Sequence, residues 1–459
     1  MPHTGSRAIV LGASMAGLAH ATVLADRFDH VTLVDRDVLP DDAQQRDGVP
    51  QGEHIHLLVP GGVTRLEQLL PGVLADLSAR GGDVIEASRW HFHMGGGRLA
   101  LGDSDLRITG TTRPLLEAVV RDRVLAHDRI ELLDGWTARE LATTEDRSRV
   151  TGVRLRSQDD PDVLRTLDAD LVVDTTGRGS ITPRWLEDLG HTPPEEQRLQ
   201  VGVHYTTRLF HRDPDDLGGC GNVLVDIPPT GRRGGVALAV EGDRWLVTLI
   251  GMLGERPPTD LAGFQDYAAS LWVDDLHTIV ESATPVGEAA TRAFPSFSWR
   301  RYDQLDRLPE GFVVAGDAVC SLDPRFGQGM TVALAEAIAL GEVLDAHGLD
   351  QVGTRALAAA QSVVEDAWTL ATGADLANPE VEGPRPLQWR LTNAYLQRLL
   401  PVAHHDPDVA EAFVRVIALL DRPQDLFHPA IVWRTLTGGN GTPTTAAGAG
   451  TGARVGAEP

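Results

Sequence analysis

The sequence contains no lysine: all 41 of its basic residues are arginine, set against 65 aspartates and glutamates. That absence removes every chemistry that needs a lysine amine, including Schiff-base catalysis and the phosphate-gripping lysine of P-loop enzymes. Cysteine is scarce as well. Cys220 and Cys320 are too few for a disulfide framework or a four-thiolate metal site. No run reaches the roughly 18–20 apolar residues of a membrane-spanning helix, so no integral membrane segment is expected. A basic-then-apolar leader is also missing, because the first apolar stretch, residues 8–11, has the length of a buried strand; the cytoplasm is the expected location. No basic patch interrupts the formal charge of −24, and no nucleic-acid or anionic-membrane partner is expected.

What is present suits an ordinary globular chain. Its 459 residues, 42% of them hydrophobic, can build two or three domains with cores of their own. An apolar strand at 7–11, a glycine turn, a helical stretch at 15–27 and a second strand at 31–34 form a β-α-β unit, which predicts a parallel sheet with covering helices. A polar loop follows at 36–52, then helical patterns at 61–70 and 114–126. Strands alternate over 131–173 and again over 201–249, where the period of two predicts an antiparallel sheet with one covered face. A buried strand at 311–315 precedes a helix at 331–344, and the chain reads as helical to about 435. Residues 438–459 are mostly Gly, Thr and Ala, which bury too little surface to offset their ordering entropy; a disordered tail is expected there.

Two glycine-rich segments carry the chemistry. The first is Gly12-Ala13-Ser14-Met15-Ala16-Gly17, between strand and helix. Gly12 suits a tight turn, Gly17 suits close helix–strand packing, and the helix N-terminus offers N–H groups to a pyrophosphate. Ser14 replaces the usual middle glycine; it is small and can donate a hydroxyl. Asp35, 23 residues after Gly12, ends the second strand where an acid for ribose hydroxyls belongs. A lone glycine turn would mean little, but strand, turn, helix, strand and acid in order point to a dinucleotide. The second segment is Gly316-Asp317-Ala318 at the end of a strand, followed by Pro324-Arg325-Phe326-Gly327-Gln328-Gly329-Met330 before a long helix. An acid at a strand end suits a polyol, and clustered backbone N–H groups suit a developing anion such as a reduced flavin. Either half alone is readily a capped turn; both together, downstream of a dinucleotide fingerprint, specify FAD.

With these segments the sequence resembles the class A flavoprotein monooxygenases of the para-hydroxybenzoate hydroxylase fold. The likeness runs from about residue 7 to 345 and includes Asp174-Thr175-Thr176-Gly177. Within that family, Val49-Pro50-Gln51-Gly52-Glu53-His54-Ile55-His56 and the block from Gly316 to Met330 look like the polyene epoxidases of polyether antibiotic pathways, and more distantly squalene epoxidase. The resemblance implies that Asp317 holds the ribityl chain, that Asp35 serves the adenosine ribose, that its neighbour Arg36 belongs to the FAD site, that Arg46 and Arg113 contact the adenosine and pyrophosphate part, and that Pro324 lies by the isoalloxazine. Gly12, Ser14, Met15, Ala16, Gly17, Gly327, Gly329 and Met330 complete the expected FAD site, and no catalytic side chain is singled out. The Asp174 segment departs from the family's Asp-Gly pattern by two threonines. No second glycine fingerprint marks a nicotinamide domain, so either NAD(P)H visits transiently or a separate reductase supplies reduced flavin.

The expected fold class is therefore α/β: a Rossmann-type FAD-binding domain (1–85, 111–190, 301–345), an antiparallel-sheet substrate domain (86–110, 191–300), a C-terminal helical region (346–436) and a tail (437–459). The expected reaction is insertion of one oxygen atom from O₂ into a small apolar substrate through a flavin C4a-hydroperoxide. Epoxidation of a polyketide or terpenoid alkene is favoured, because an alkene needs no base and no acid–base pair is evident. Aromatic hydroxylation of a polyketide, prenyl-chain reduction and a non-catalytic flavin-binding module remain alternatives. Flavin halogenases use an active-site lysine that this chain lacks. His54 and His56 have no third and fourth ligand nearby, and no metal is expected anywhere in the chain. His91 and His93 share their spacing and are expected to line one face of the second sheet, toward the substrate or away from it.

Overall fold

The computed structural model describes residues 4–46 and 48–438. The elements that position the candidate site begin with β1 (Gly5–Leu11), α1 (Met15–Ala25) and β2 (Phe28–Val34), then β3 (Trp90–Met94), α2 (Arg113–Leu125), β4 (Ile130–Leu133) and β5 (Leu171–Asp174). Next come β6 (Glu196–His211), β7 (Asn222–Val225), β8 (Arg233–Val240), β9 (Arg244–Gly251), α3 (Asp275–Ser282) and β10 (Pro285–Arg300). The last are β11 (Phe312–Val314), α4 (Gly329–His347) and α5 (Val352–Asp375).

Five strands form a parallel sheet in the order β11-β5-β1-β2-β4. Its central strands read as unbroken apolar runs because both faces are covered: Ala8 to Leu11 and Leu171 to Val173 are at most 1% exposed. From β1 the chain passes to β2 and β4 on one side, and later supplies β5 and β11 on the other. The crevice beyond the carboxyl end of β1 is thus a topological switch point, the place where open α/β sheets bind ligands. Helix α4 packs along α1 over this sheet.

The second sheet has eight strands, with β10-β6-β9-β8-β7-β3 at its centre. All of these pairs are antiparallel except β7 with β3. β10, which makes the sheet's longest pairing along β6, falls outside the strands expected from the sequence. The first eleven residues of β10 are half-buried or exposed, so they show no apolar alternation to read. The region expected to alternate over 131–173 divides: Trp136–Thr143, Val150–Ser157 and Leu164–Asp168 make a separate three-stranded antiparallel sheet, while β4 and β5 join the parallel one. Beyond α5 the chain is helical at Leu387–Ala403, Pro407–Ile417 and Pro429–Thr437. Thr437 closes the last helix and Gly438 caps it at φ +86°; the rest of the expected tail, 439–459, lies outside the described residues.

Candidate functional site

The turn after β1 requires both of its glycines. Gly12 has φ +100°, and a Cβ there would stand 2.7 Å from Thr175 O. A Cβ on Gly17 would stand 1.7 Å from Gly12 O, so only glycine lets α1 lie this close to the strand. Ser14 is the N-cap of α1, but its side chain makes no cap bond. The first N–H within the helix to find a backbone acceptor is that of Leu18, on Ser14 O. The N–H groups of Met15, Ala16 and Gly17 are therefore free to face an anion at the switch point.

The second glycine segment arrives at the same place. Gly316 follows β11 with φ +66°, and its Cβ position would lie 3.1 Å from the Cβ of Ala16. Asp317 comes next, beside Gly177 of the Asp174 segment, and its Oδ1 is 3.7 Å from where Gly329 would carry a Cβ. Helix α4 starts at Gly329 after Gln328, which makes no side-chain cap bond, so a second uncapped helix N-terminus faces the cleft. Gly327 supplies the left-handed turn before it at φ +65°, and half-buried Pro324 opens the short helical turn Pro324–Phe326. The Asp317 side chain is open to solvent yet deep within the protein, as the wall of a cleft is. Burial pushes its carboxyl up, against the pull of Arg113 and Arg178. Unlike that of Asp35, its carboxylate makes no hydrogen bond among the described residues.

A buried charge network stands behind the first turn. Asp35 accepts from Ala13 N–H (2.7 Å) and Asp37 N–H (2.9 Å) and pairs with Arg46 (3.2 Å). Three of a carboxylate's roughly four lone-pair sites are thereby used, leaving one for a ligand hydroxyl. Arg46 also binds Glu117, Asp37 and the Ala13 carbonyl, so its guanidinium is engaged within the protein. Glu117 accepts from the Ser14 hydroxyl at 2.9 Å and pairs with Arg113. Burial pushes Glu117 up, but Arg113 and Arg46 outweigh it and hold it below the usual carboxylate range. Arg113 in turn reaches the Ser14 oxygen (2.8 Å) and the Met330 sulfur (3.0 Å), tying the first turn to α4. Arg36 is exposed at the rim and pairs with Asp37. Glu117 was invisible in the sequence, since only its i,i+4 spacing from Arg113 on α2 could have marked it. Asp174, in the segment that departs from the family's Asp-Gly pattern, is fully engaged by Thr176, Ser180 and Thr182, so that segment contributes its fold and Gly177 to the cleft.

Behind Gly316 sits an unanticipated acid, Glu336 of α4, whose Oε2 accepts the Gly316 N–H at 2.7 Å. Burial raises its pKa to about 8. The folded chain holds this proton to about pH 8 whereas an unfolded chain releases it near 4.5, so its contribution to stability falls as pH rises across that window and levels off above it. Glu336→Gln, which keeps an acceptor for Gly316, is expected to flatten the decline. Urea midpoints from pH 5 to 9 check this.

The histidines divide between the two faces of the second sheet. His54 is buried, with Nδ1 2.8 Å from Thr207 Oγ1, which bonds Thr248 Oγ1 at 2.7 Å; Nε2 has no partner. Burial and Arg292 lower its pKa to about 4, and burial and Arg113 lower that of His56 to about 3, so both are neutral. In register with Thr207 and Thr248 on this face stand Val236, Leu224 and Phe92; Tyr205 with Ile250 and Arg292 continues it, and Tyr205 meets both His54 and Phe294 edge-on. His91 pairs with Val223 and His93 with Val225, in the alternate register, so both project from the opposite face. They do not face His54.

No family model matches the chain. Among solved structures it superposes on PqsL from Pseudomonas aeruginosa, a probable FAD-dependent monooxygenase, with a TM-score of 0.60 at 20% identity, over 81% of this chain and 97% of that one. It superposes on p-nitrophenol 4-monooxygenase PnpA from Pseudomonas putida DLL-E4 with a TM-score of 0.62 at 16% identity, over 92% of this chain and 99% of that one. At such identities the likeness establishes a shared fold: a parallel sheet with covering helices, an antiparallel sheet and a helical C-terminal region. In sequence, the chain is 34% identical over 430 residues to Protein Rv3254 of Mycobacterium tuberculosis, covering 90% of each. The chain belongs to the family of Protein Rv3254.

Proposed function

We propose that the protein is an FAD-dependent monooxygenase, and that it epoxidises an alkene of a polyketide or terpenoid. The observation that carries the flavin is the free Asp317 carboxylate standing between two uncapped helix N-termini. The donor set fits FAD in kind: N–H groups of α1 for the pyrophosphate, Asp35 for the adenosine ribose, Asp317 for the ribityl hydroxyls, and N–H groups at Gly329 and Met330 for the negative charge of the reduced ring. PqsL and PnpA, which share the fold, bear monooxygenase names that agree with this reading.

When bound, the flavin would activate O₂ and deliver one oxygen atom. The chain's own part is to bind, orient and exclude water. Val236, Tyr205, Ile250 and Phe294 on the second sheet offer apolar surface for an apolar substrate. His54 and His56, held neutral, add no charge beside it. Reducing equivalents would come from NAD(P)H or from a reductase delivering reduced flavin. Aromatic hydroxylation is the second reading, and one observation favours it: His54 Nε2, buried and unpartnered, would accept a phenolic proton. Its low pKa makes it a weak base, which keeps epoxidation ahead.

Oxygen uptake with the purified chain, FAD, NAD(P)H and an added flavin reductase tests the proposal. Uptake that depends on a polyene, with labelled oxygen from O₂ in an epoxide, is expected. A phenol as the labelled product would select hydroxylation. No substrate-dependent uptake with polyene or aromatic panels would remove the monooxygenase reading.

A further inference from the structure

On the face of the second sheet opposite Thr248, β3 carries His91 and His93 two residues apart, so that their rings stand side by side. Asp275, the first residue of α3, reaches over them. Its Oδ2 lies 2.6 Å from His91 Nδ1 and 3.0 Å from His93 Nε2, although 184 and 182 residues separate them in sequence. One donor atom from each of the three residues falls within 4.8 Å of the others. The surroundings hold this arrangement. The buried Cys220 thiol donates to the Arg89 and Asn222 carbonyls on either side of it, and Trp272 packs edge-on against His93 at 6.0 Å. Asp226 follows the β7 residue paired with His93 and donates its N–H to the His93 carbonyl; its Oδ2 accepts from Gly95 N–H, while its buried Oδ1 has no partner.

We propose that His91, His93 and Asp275 bind one divalent transition-metal ion of the zinc class. Two imidazole nitrogens and one carboxylate oxygen are the borderline donors that Zn²⁺ and its neighbours take; Ca²⁺ and Mg²⁺ prefer oxygen-only sets. Three protein ligands on a partly exposed patch leave the fourth position to water. The unpartnered Asp226 oxygen adds negative potential nearby. An ion here ties α3 to β3, so it would stabilise the sheet from the side away from the flavin cleft, and the site stands whatever reaction that cleft performs.

The full-length chain, made without a histidine tag and stripped with EDTA, is dialysed against Zn²⁺ and against Co²⁺. One tight equivalent per chain is expected, with an absorption spectrum of nitrogen and oxygen coordination for Co²⁺ and a Tm that climbs with Zn²⁺ concentration. His93→Ala and Asp275→Asn are each expected to weaken that equivalent by more than the roughly 10–100-fold that loss of even an outer contact costs. His277→Ala, on the same helix but outside the cluster, should leave it intact. Asp275→Asn preserves side-chain shape, and an unchanged circular-dichroism spectrum excludes misfolding as the cause. No saturable uptake by the wild-type chain, or equal uptake by wild type, His93→Ala and Asp275→Asn, would overturn the site.

Discussion

A single methyl group added at Gly17 is expected to dismantle the candidate cofactor site. In Gly17→Ala the new Cβ would lie 1.7 Å from Gly12 O, 2.8 Å from Gly12 C and 3.0 Å from Thr175 Oγ1. The first two are backbone atoms, so no side chain can rotate away. Gly12 cannot yield either, because its φ of +100° and its own tight approach to Thr175 O fix it where it is. Helix α1 must then lift from β1, taking Met15, Leu18 and Ala21 out of the core and re-aiming the N–H groups offered to the pyrophosphate. Overpacking a core costs about 1–3 kcal/mol where side chains can adjust; here the expected loss is about 3 kcal/mol or more. Gly179→Ala is the control. Nothing lies within 4 Å of its Cβ position, and its stability should change by no more than about 0.5 kcal/mol. Urea midpoints of the two variants check the pair, and a Gly17→Ala protein of unaltered midpoint would contradict the packing described here.

Arg325→Met should be of comparable severity for a different reason. The guanidinium lies between Asp323 and Asp375, whose side chains are 0% exposed, bonding Asp323 at 2.8 Å through Nε and Asp375 through Nη2. Asp323 also accepts the Arg325 N–H, so the triad fastens the loop before α4 to the end of α5. Removing the cation leaves two buried carboxylates facing each other. Breaking a buried pair this way typically costs about 3–5 kcal/mol, most of it the uncompensated charge. The double variant Arg325→Met/Asp375→Asn should recover part of that loss, since one of the stranded charges is gone. A double variant no more stable than Arg325→Met would assign the loss to packing instead.

The parts of the molecule that could be read in sequence are those whose physics is local. β1, α1 and β2 announce themselves because a parallel strand covered on both faces is an apolar run, and because Gly12 and Gly17 are demanded by contacts within a few residues. That the segment at Gly316–Met330 would meet the first turn followed from chemistry alone; the approach of Gly316 to Ala16 supplies the geometry. What stayed hidden depends on residues far apart. The exposed half of β10 owes its conformation to β6 rather than to any pattern of its own. Glu117 links Arg46 and Arg113 in a buried charge network that no motif marks. The orientation of His91 and His93 is a matter of register across three strand pairs, and their shared carboxylate comes from a helix that no motif marks. Asp174 looks in sequence like an imperfect cofactor motif, and only the positions of Ser180 and Thr182 show where its carboxylate is spent.

We propose that FAD lies in the cleft with Asp317 on its ribityl chain. Fluorescence titration of FAD into the wild-type chain and Asp317→Ala, each verified as folded, tests it most directly. Wild type should bind one FAD per chain. Loss of a hydrogen bond to a charged group costs about 1.5–3 kcal/mol, so the variant's Kd should rise roughly ten- to a hundredfold. An Asp317→Ala protein that keeps full yellow flavin occupancy at the wild-type Kd, or a wild-type chain that shows no saturable FAD binding, would contradict it.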